Sequence, residues 1–251
     1  MTRSAELRVP EIFRHEDDET YADNLLRDYC RNFDGHLFDS LGQKRNLGVG
    51  SCRVTSEDLL AVQMLSVKVP ARAVKRILED EAKIIKALLR RAPGPETPIW
   101  EVDEDQLTDE GAPLSCLWNL LRRNAGAPLR YDGKQSKVTG ERDGMGPTLV
   151  SKLMARKRPG LIPISDGVVT TALGLPRSGE GHWLRARALM LENVTYQGEQ
   201  MPLHERLERA VEKTESRVPI TPLRALDIIL WYANNPAPST ANLRAKVPRS
   251  R

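Results

Sequence analysis

Residues 144–166 read GMGPTLVSKLMARKRPGLIPISD. Gly144 and Gly146 frame a turn, and Pro147 stands where the first residue of a helix belongs. TLVSKLMARK then continues as a helix. A glycine turn that feeds a helix N-terminus leaves N–H groups pointing outward, and these suit a phosphate. Lys152 and Arg156 lie four residues apart on one helical face, with Lys157 and Arg158 directly behind. From Arg142 to Arg158 there are five bases and one acid. Such a cluster is expected to follow a nucleic-acid backbone without reading sequence. The plain alternative is a tight turn between helices followed by a solvated basic face. Asp166 opens the next helical stretch, GVVTTALGL, where it or Ser165 would serve as the cap.

Outward from this stretch the chain reads as a series of short helices. Thr55-Ser56-Glu57-Asp58 offers hydroxyl caps and then carboxylates in a first turn, where the dipole favours them. LLAVQMLSV follows as a buried apolar helix. After Pro70, ARAVKRILEDEAKIIKALLRRA places Val74, Ile77, Leu78, Ile85, Leu88 and Leu89 on one stripe. Residues 92–111 hold acids but no Lys or Arg and read as a solvated connection. Residues 112–126 read as another short helix with a glycine stop. YADNLLRDYCRNF, residues 21–33, is a short helix, whereas residues 33–51 are rich in turn formers and read as loop. Three helical patterns follow Asp166, at residues 181–193, 202–215 and 221–235. The last has Thr221 as N-cap and Pro222 at the first helical position.

With no internal repeat and no sustained alternation of period two, the expected architecture is all-α, a two-lobed helical bundle. Four segments are expected: a polar helical or irregular region at 1–54, a helical lobe with the hairpin at 55–158, a C-terminal helical lobe at 159–235, and a disordered basic tail at 236–251.

Composition limits the function. The formal charge of +4 resides in the tail, whose Arg244, Lys246, Arg249 and Arg251 have no acidic counterpart; the body is balanced at 34 bases and 34 acids. Any nucleic-acid surface must therefore be local. No apolar run is long enough for a membrane span, and the first residues lack a signal-peptide core, so a cytoplasmic location is expected, nucleoid-associated if DNA is the partner. Cys30, Cys52 and Cys116 are odd in number and widely spaced, which favours free thiols over a disulfide framework. His15, His36, His182 and His204 show no ligand spacing, and no metal or cofactor is expected. Trp100, Trp118, Trp183 and Trp231 read as core or cleft-wall residues, and Asp227 as a partner for an arginine such as Arg224.

Three blocks resemble the helix-hairpin-helix DNA glycosylase superfamily, the group that includes endonuclease III. They are DLLAVQMLSVKV (58–69), GMGPTLVSKL (144–153) and PISDGVV (163–169). The 20 residues from Gly146 to Asp166 match the family's spacing, as do the 78 from Ser66 to Gly144. The chain is also similar to an uncharacterised actinobacterial family with the same ARKRP-x-LIPI core. The resemblance implies a glycosylase-like fold, with Gly144 and Gly146 on DNA phosphate, Thr148, Lys152, Arg156, Lys157 and Arg158 nearby, and Lys68 close to the DNA. It also implies that Asp166 stabilises an oxocarbenium sugar or activates water while the target base is flipped out. Thr148 occupies the position of the lyase lysine, so β-elimination is not expected. Lys68 replaces the glutamine that fills the vacated stack, and Arg142-Asp143 replaces the apolar-Pro pair before the hairpin. The expected function is duplex DNA binding through the hairpin without necessary catalysis. The alternatives are a monofunctional base-excision glycosylase using Asp166, and a protein-interaction module with an acidic partner.

Overall fold

The computed structural model describes residues 8–14, 16–42, 51–127, 137–176, 181–214 and 220–235. In chain order the helices are α1 (Glu16–Asn32), α2 (Leu37–Ser40), α3 (Ser56–Gln63) and α4 (Ala71–Lys75). A π-helical turn, Arg76–Asp80, leads into α5 (Ala82–Arg91), and α6 (Glu104–Thr108), α7 (Pro113–Leu121) and α8 (Pro147–Lys157) follow. Then come α9 (Gly167–Ala172), α10 (His182–Leu191), β1 (Asn193–Tyr196), β2 (Glu199–Pro202), α11 (Leu203–Glu212) and α12 (Pro222–Asn234). The chain is mostly helical, and among the described residues the single sheet is the antiparallel pair β1–β2. That hairpin corrects the purely helical expectation. Its turn is Gln197-Gly198, both at positive φ (53° and 80°), as a primed two-residue hairpin turn requires.

The chain divides into two compact units, one of Asp34–Ser165 and one that joins Met1–Phe33 to Asp166–Arg251. This replaces the expected division at residues 54 and 158. The N-terminal helix is part of the same unit as the C-terminal helices, because α1 packs on α11 and α12. The expected disordered tail lies outside the described residues.

In the Asp34–Ser165 unit, α3 packs on α8, α5 on α7, and α7 on both α6 and α8. The expected continuous helix over 71–92 is interrupted at the π turn. The reason is Arg76, whose buried guanidinium reaches Glu81 (2.5 Å), Asp143 (2.7 Å) and the carbonyl of Leu121 (3.0 Å) at the end of α7. Widening the turn by one residue lets a charged side chain enter the apolar stripe with all its partners inside. The stretch 33–51, read as loop, instead holds a 3-10 turn (Asp34–His36) and α2; its remainder at 43–50 is outside the described residues.

In the other unit α12 is the central helix. Leu223 to Leu230 are all buried, as is Tyr232, and Thr221 caps the helix by accepting the Arg224 N–H (3.2 Å). A helix apolar on nearly every side must be surrounded, and α1, α9 and α11 surround this one. The hairpin is fastened from below: the Tyr196 hydroxyl donates to Asp23 (2.7 Å), and Asp23 in turn pairs with the buried Arg206 (2.9 Å).

His182 opens α10 at 2% exposure, and neither ring nitrogen has a hydrogen-bond partner among the described residues. Burial holds its pKa down at about 4, against about 6.5 for the unfolded chain. The folded state therefore resists a proton that the unfolded state accepts. Its contribution is complete above about pH 6.5 and is lost as pH falls towards 4, by up to about 3 kcal/mol. Urea titrations of this unit between pH 7 and pH 4 should show that loss, and His182→Leu should remove most of it. An unchanged slope in the variant would assign the pH dependence to other groups.

Candidate functional site

The turn at 144–146 is built from two glycines with different tasks. Gly144 has φ +86°, and a Cβ there would lie 3.0 Å from Pro70 Cγ, so the fold itself requires glycine. Gly146 is different. At φ −75° and ψ 173° it has a conformation open to any residue, and a Cβ added to it would meet nothing within 4 Å. It is nevertheless the N-cap of α8, the position where Ser, Thr, Asp or Asn would close the helix, and no side chain caps it. The first intrahelical bond is Val150 N–H to Gly146 O (3.0 Å), which leaves the N–H groups of Thr148 and Leu149 ahead of the ladder. Residues 137–146 contain no helix, so among the described residues α8 is not preceded directly by a hairpin partner.

The Thr148 side chain turns inward, and its hydroxyl donates to the carbonyl of Ser165 (3.0 Å). This sets the α8 N-terminus against the 163–165 strand-like segment, which is held a second time by Ser165 N–H to Ser151 Oγ (2.9 Å). Any part of Thr148 in anion binding falls to its N–H.

The basic cluster is where the sequence expectation fails. Lys152 is 5% exposed, and Arg156, Lys157 and Arg158 are 1% exposed each. None of them presents a charge to a DNA backbone, and the solvated-face alternative fails with the phosphate reading. An acidic protein partner loses its docking surface for the same reason. Their protons go instead to internal acceptors. Lys152 donates to Leu65 O (2.9 Å) just past the end of α3. Arg156 donates to Phe38 O and Leu41 O at the end of α2, and through Nε to Asp58 (3.3 Å). Lys157 lies on Asp58 (2.9 Å) and on Ser51 Oγ (2.9 Å). Arg158 donates to Leu89 O in the last turn of α5 and to Pro93 O (2.6 Å) beyond it. These carbonyls are the unsatisfied, negative ends of helices, and cations are favoured there.

The hub is Asp58, with a side-chain exposure of 0%. It sits in the first turn of α3, accepts the Thr55 N–H (2.9 Å) and receives both Arg156 and Lys157. Burial pulls the Lys157 ammonium below its ordinary pKa; Asp58 opposes that pull, and Arg156 and Arg158 add to it. Arg156 is lowered by burial too, again against Asp58. Sequence reading took Asp58 as a capping residue and missed this second role. A signal existed: an acid flanked by Leu59, Ala61 and Val62 must find partners inside.

Two exposed cations remain by the turn. Lys68 is exposed two residues before Pro70, the residue against which Gly144 packs. Arg142 is exposed two residues before Gly144, and its neighbour Asp143 is taken up by Arg76. Arg122, half-buried over the Trp118 ring at 5.5 Å, is held below its usual pKa by burial and then by the nearby Arg142 charge. Arg142 and Arg122 were not among the expected contacts. Glu141 is the exposed acid beside them.

Asp166 is the N-cap of α9: its Oδ1 accepts the Val168 N–H (2.8 Å). The residue is half-buried, and its Oδ2 has no hydrogen bond among the described residues. Cys30, Cys52 and Cys116 are free thiols. No helix among the described residues is long and apolar enough to cross a membrane.

The chain belongs to a family described as a family of unknown function (DUF6308), which it matches over residues 22–234. Neither a curated protein nor a solved structure matches it.

Removing Asp58 tests the internal network. Asp58→Asn leaves Arg156 and Lys157 buried without a counter-charge and should destabilise the Asp34–Ser165 unit by about 3–5 kcal/mol in denaturant titrations. An effect below about 1 kcal/mol would mean that the carbonyls alone satisfy both cations.

Proposed function

We propose that the protein binds the sugar–phosphate backbone of duplex DNA at the N-terminus of α8, on a fold of the helix-hairpin-helix glycosylase kind. The observation that carries this is Gly146. It is a helix cap that the local backbone does not require to be glycine, facing open space, with uncapped N–H groups behind it. A side chain there would stabilise the helix and block close approach of a phosphate; glycine does neither. Lys68 and Arg142 flank the turn and supply the screened, sequence-independent attraction that backbone binding needs. The DNA surface is therefore smaller than the sequence implies, since Lys152, Arg156, Lys157 and Arg158 hold the scaffold under it.

Asp166 supports a second reading, monofunctional base excision. One carboxylate oxygen is fixed by the α9 cap and the other is available to a developing sugar cation. In that reaction water adds to the sugar C1′, the glycosidic bond breaks and the base leaves with a proton. With Thr148 where the lyase lysine would stand, strand cleavage is not part of it.

Fluorescence anisotropy with a labelled duplex, run across a salt series, tests the first reading. Lys68→Ala and Arg142→Ala should each lower affinity and reduce the salt slope by about 1. Glu141→Gln should tighten binding. Gly146→Ser should keep or slightly raise stability while weakening binding about tenfold. A duplex affinity that none of these substitutions moves rules out this surface. Abasic-site formation by wild type but not by Asp166→Asn, on a panel of damaged duplexes, would establish the excision reading; tight binding without product on every duplex would end it.

A further inference from the structure

A second site lies in the unit that joins the chain termini, in a groove of about 480 Å3 between residues 8–14 and the β1–β2 hairpin. One wall carries Arg8 and Arg14 on either side of the 3-10 turn Glu11–Phe13. The other carries Asn193, Thr195 and Gln200, with Phe13 at the base. No carboxylate is among its described lining residues. Arg14 donates through Nε to Val9 O, which fixes the stem and leaves its two terminal amino groups without a partner among the described residues. Gln200 is set by its bond to the Thr195 hydroxyl (2.5 Å).

The groove is held open from beneath. The buried Arg206 guanidinium lies 5.3 Å from the Phe13 ring and 5.0 Å from the Tyr196 ring, so one cation is sandwiched under both walls. Asp23 neutralises it and fastens Tyr196 at the same time. A donor-rich groove with an apolar base and walls tied to a common support is a pre-formed small-molecule site.

We infer that this groove binds a nucleoside 5′-monophosphate or a closely similar phosphomonoester. Two guanidinium groups with no opposing acid match a phosphomonoester, which is close to a dianion at neutral pH and takes forked Arg contacts. The Asn193 and Gln200 amides each offer a donor and an acceptor, the pattern that pairs with the edge of a base. Phe13 and the aliphatic part of the hairpin give the ring an apolar floor. The site is independent of the α8 turn and does not rest on the DNA-binding proposal.

Calorimetry on the full chain with the four common 5′-mononucleotides, the matching nucleosides and inorganic phosphate tests it. At least one mononucleotide should bind, at least tenfold more tightly than its nucleoside and than phosphate. Arg8→Ala/Arg14→Ala should weaken it at least tenfold with an unchanged melting temperature. If the double variant is unstable, Arg14→Gln is the substitute and should weaken binding by the same mechanism. Hydrogen-exchange protection on nucleotide addition should fall on residues 193–200 and not on 146–150. The proposal is overturned if none of the four binds at millimolar concentration. Phosphate binding as tightly as nucleotide, an unaffected arginine variant, or protection confined to 146–150 overturns it as well. Loss of duplex binding in the Lys68 or Arg142 variants with nucleotide binding intact would leave this site standing alone.

Discussion

The carboxylate of Asp58, fully enclosed, lies between the Arg156 guanidinium and the Lys157 ammonium, and the C-terminal end of α8 depends on it. Removing these ions from water costs several kcal/mol apiece, so the arrangement survives only if every remaining proton finds an acceptor. The helices supply them. The helices α2, α3, α5 and α7 are short, and at their buried ends the last carbonyls cannot turn to water. Arg156 closes α2, Lys152 closes α3, Arg158 closes α5, and Arg76 closes α7 from the π turn. Cations and carbonyls satisfy one another, and the helix dipoles favour the pairing. One run of sequence thus sets the ends of three helices and, through Asp58, the start of one of them.

This has a direct consequence for function. A basic run looks like a nucleic-acid surface because most Lys and Arg side chains are exposed. Here the same residues are consumed by the scaffold, and the charge left by the α8 turn is modest. The case for a phosphate then moves from charge to backbone. Gly144 is explained by Pro70 and a left-handed φ, whereas Gly146 has no such explanation. Of two glycines that look equivalent in sequence, the second points outward because the fold does not need it.

Helices were legible where local chemistry decides them. Thr221-Pro222 opens α12, Thr55 with Asp58 opens α3, and Pro113 and Pro147 occupy first helical positions. What escaped was set by long-range contacts. The π turn exists because Arg76 must reach Glu81, Asp143 and the end of α7, and no periodicity records that. The hairpin escaped because each strand has four residues, too few for alternation to show; its one local mark was Gln197-Gly198. The unit boundary escaped because α1 is far in sequence from the helices it packs on. For the site, the turn and Asp166 were visible as motifs, but the direction of each side chain was not. Thr148 and the four bases point inward because acceptors 14 or more residues away claim them.

Asp166 shows how far a structural role and a chemical one can coincide. Capping uses one oxygen and fixes the rotamer, since Oδ1 must stay 2.8 Å from the Val168 N–H for α9 to start where it does. A group meant to face a developing positive charge gains from that constraint: a carboxylate held in place loses no rotamer freedom when the charge appears. The cap is therefore not evidence against catalysis. It is what a positioned carboxylate would need in either case. What separates the two readings is the occupant of Oδ2, and that depends on substrate, not on the helix that Asp166 begins.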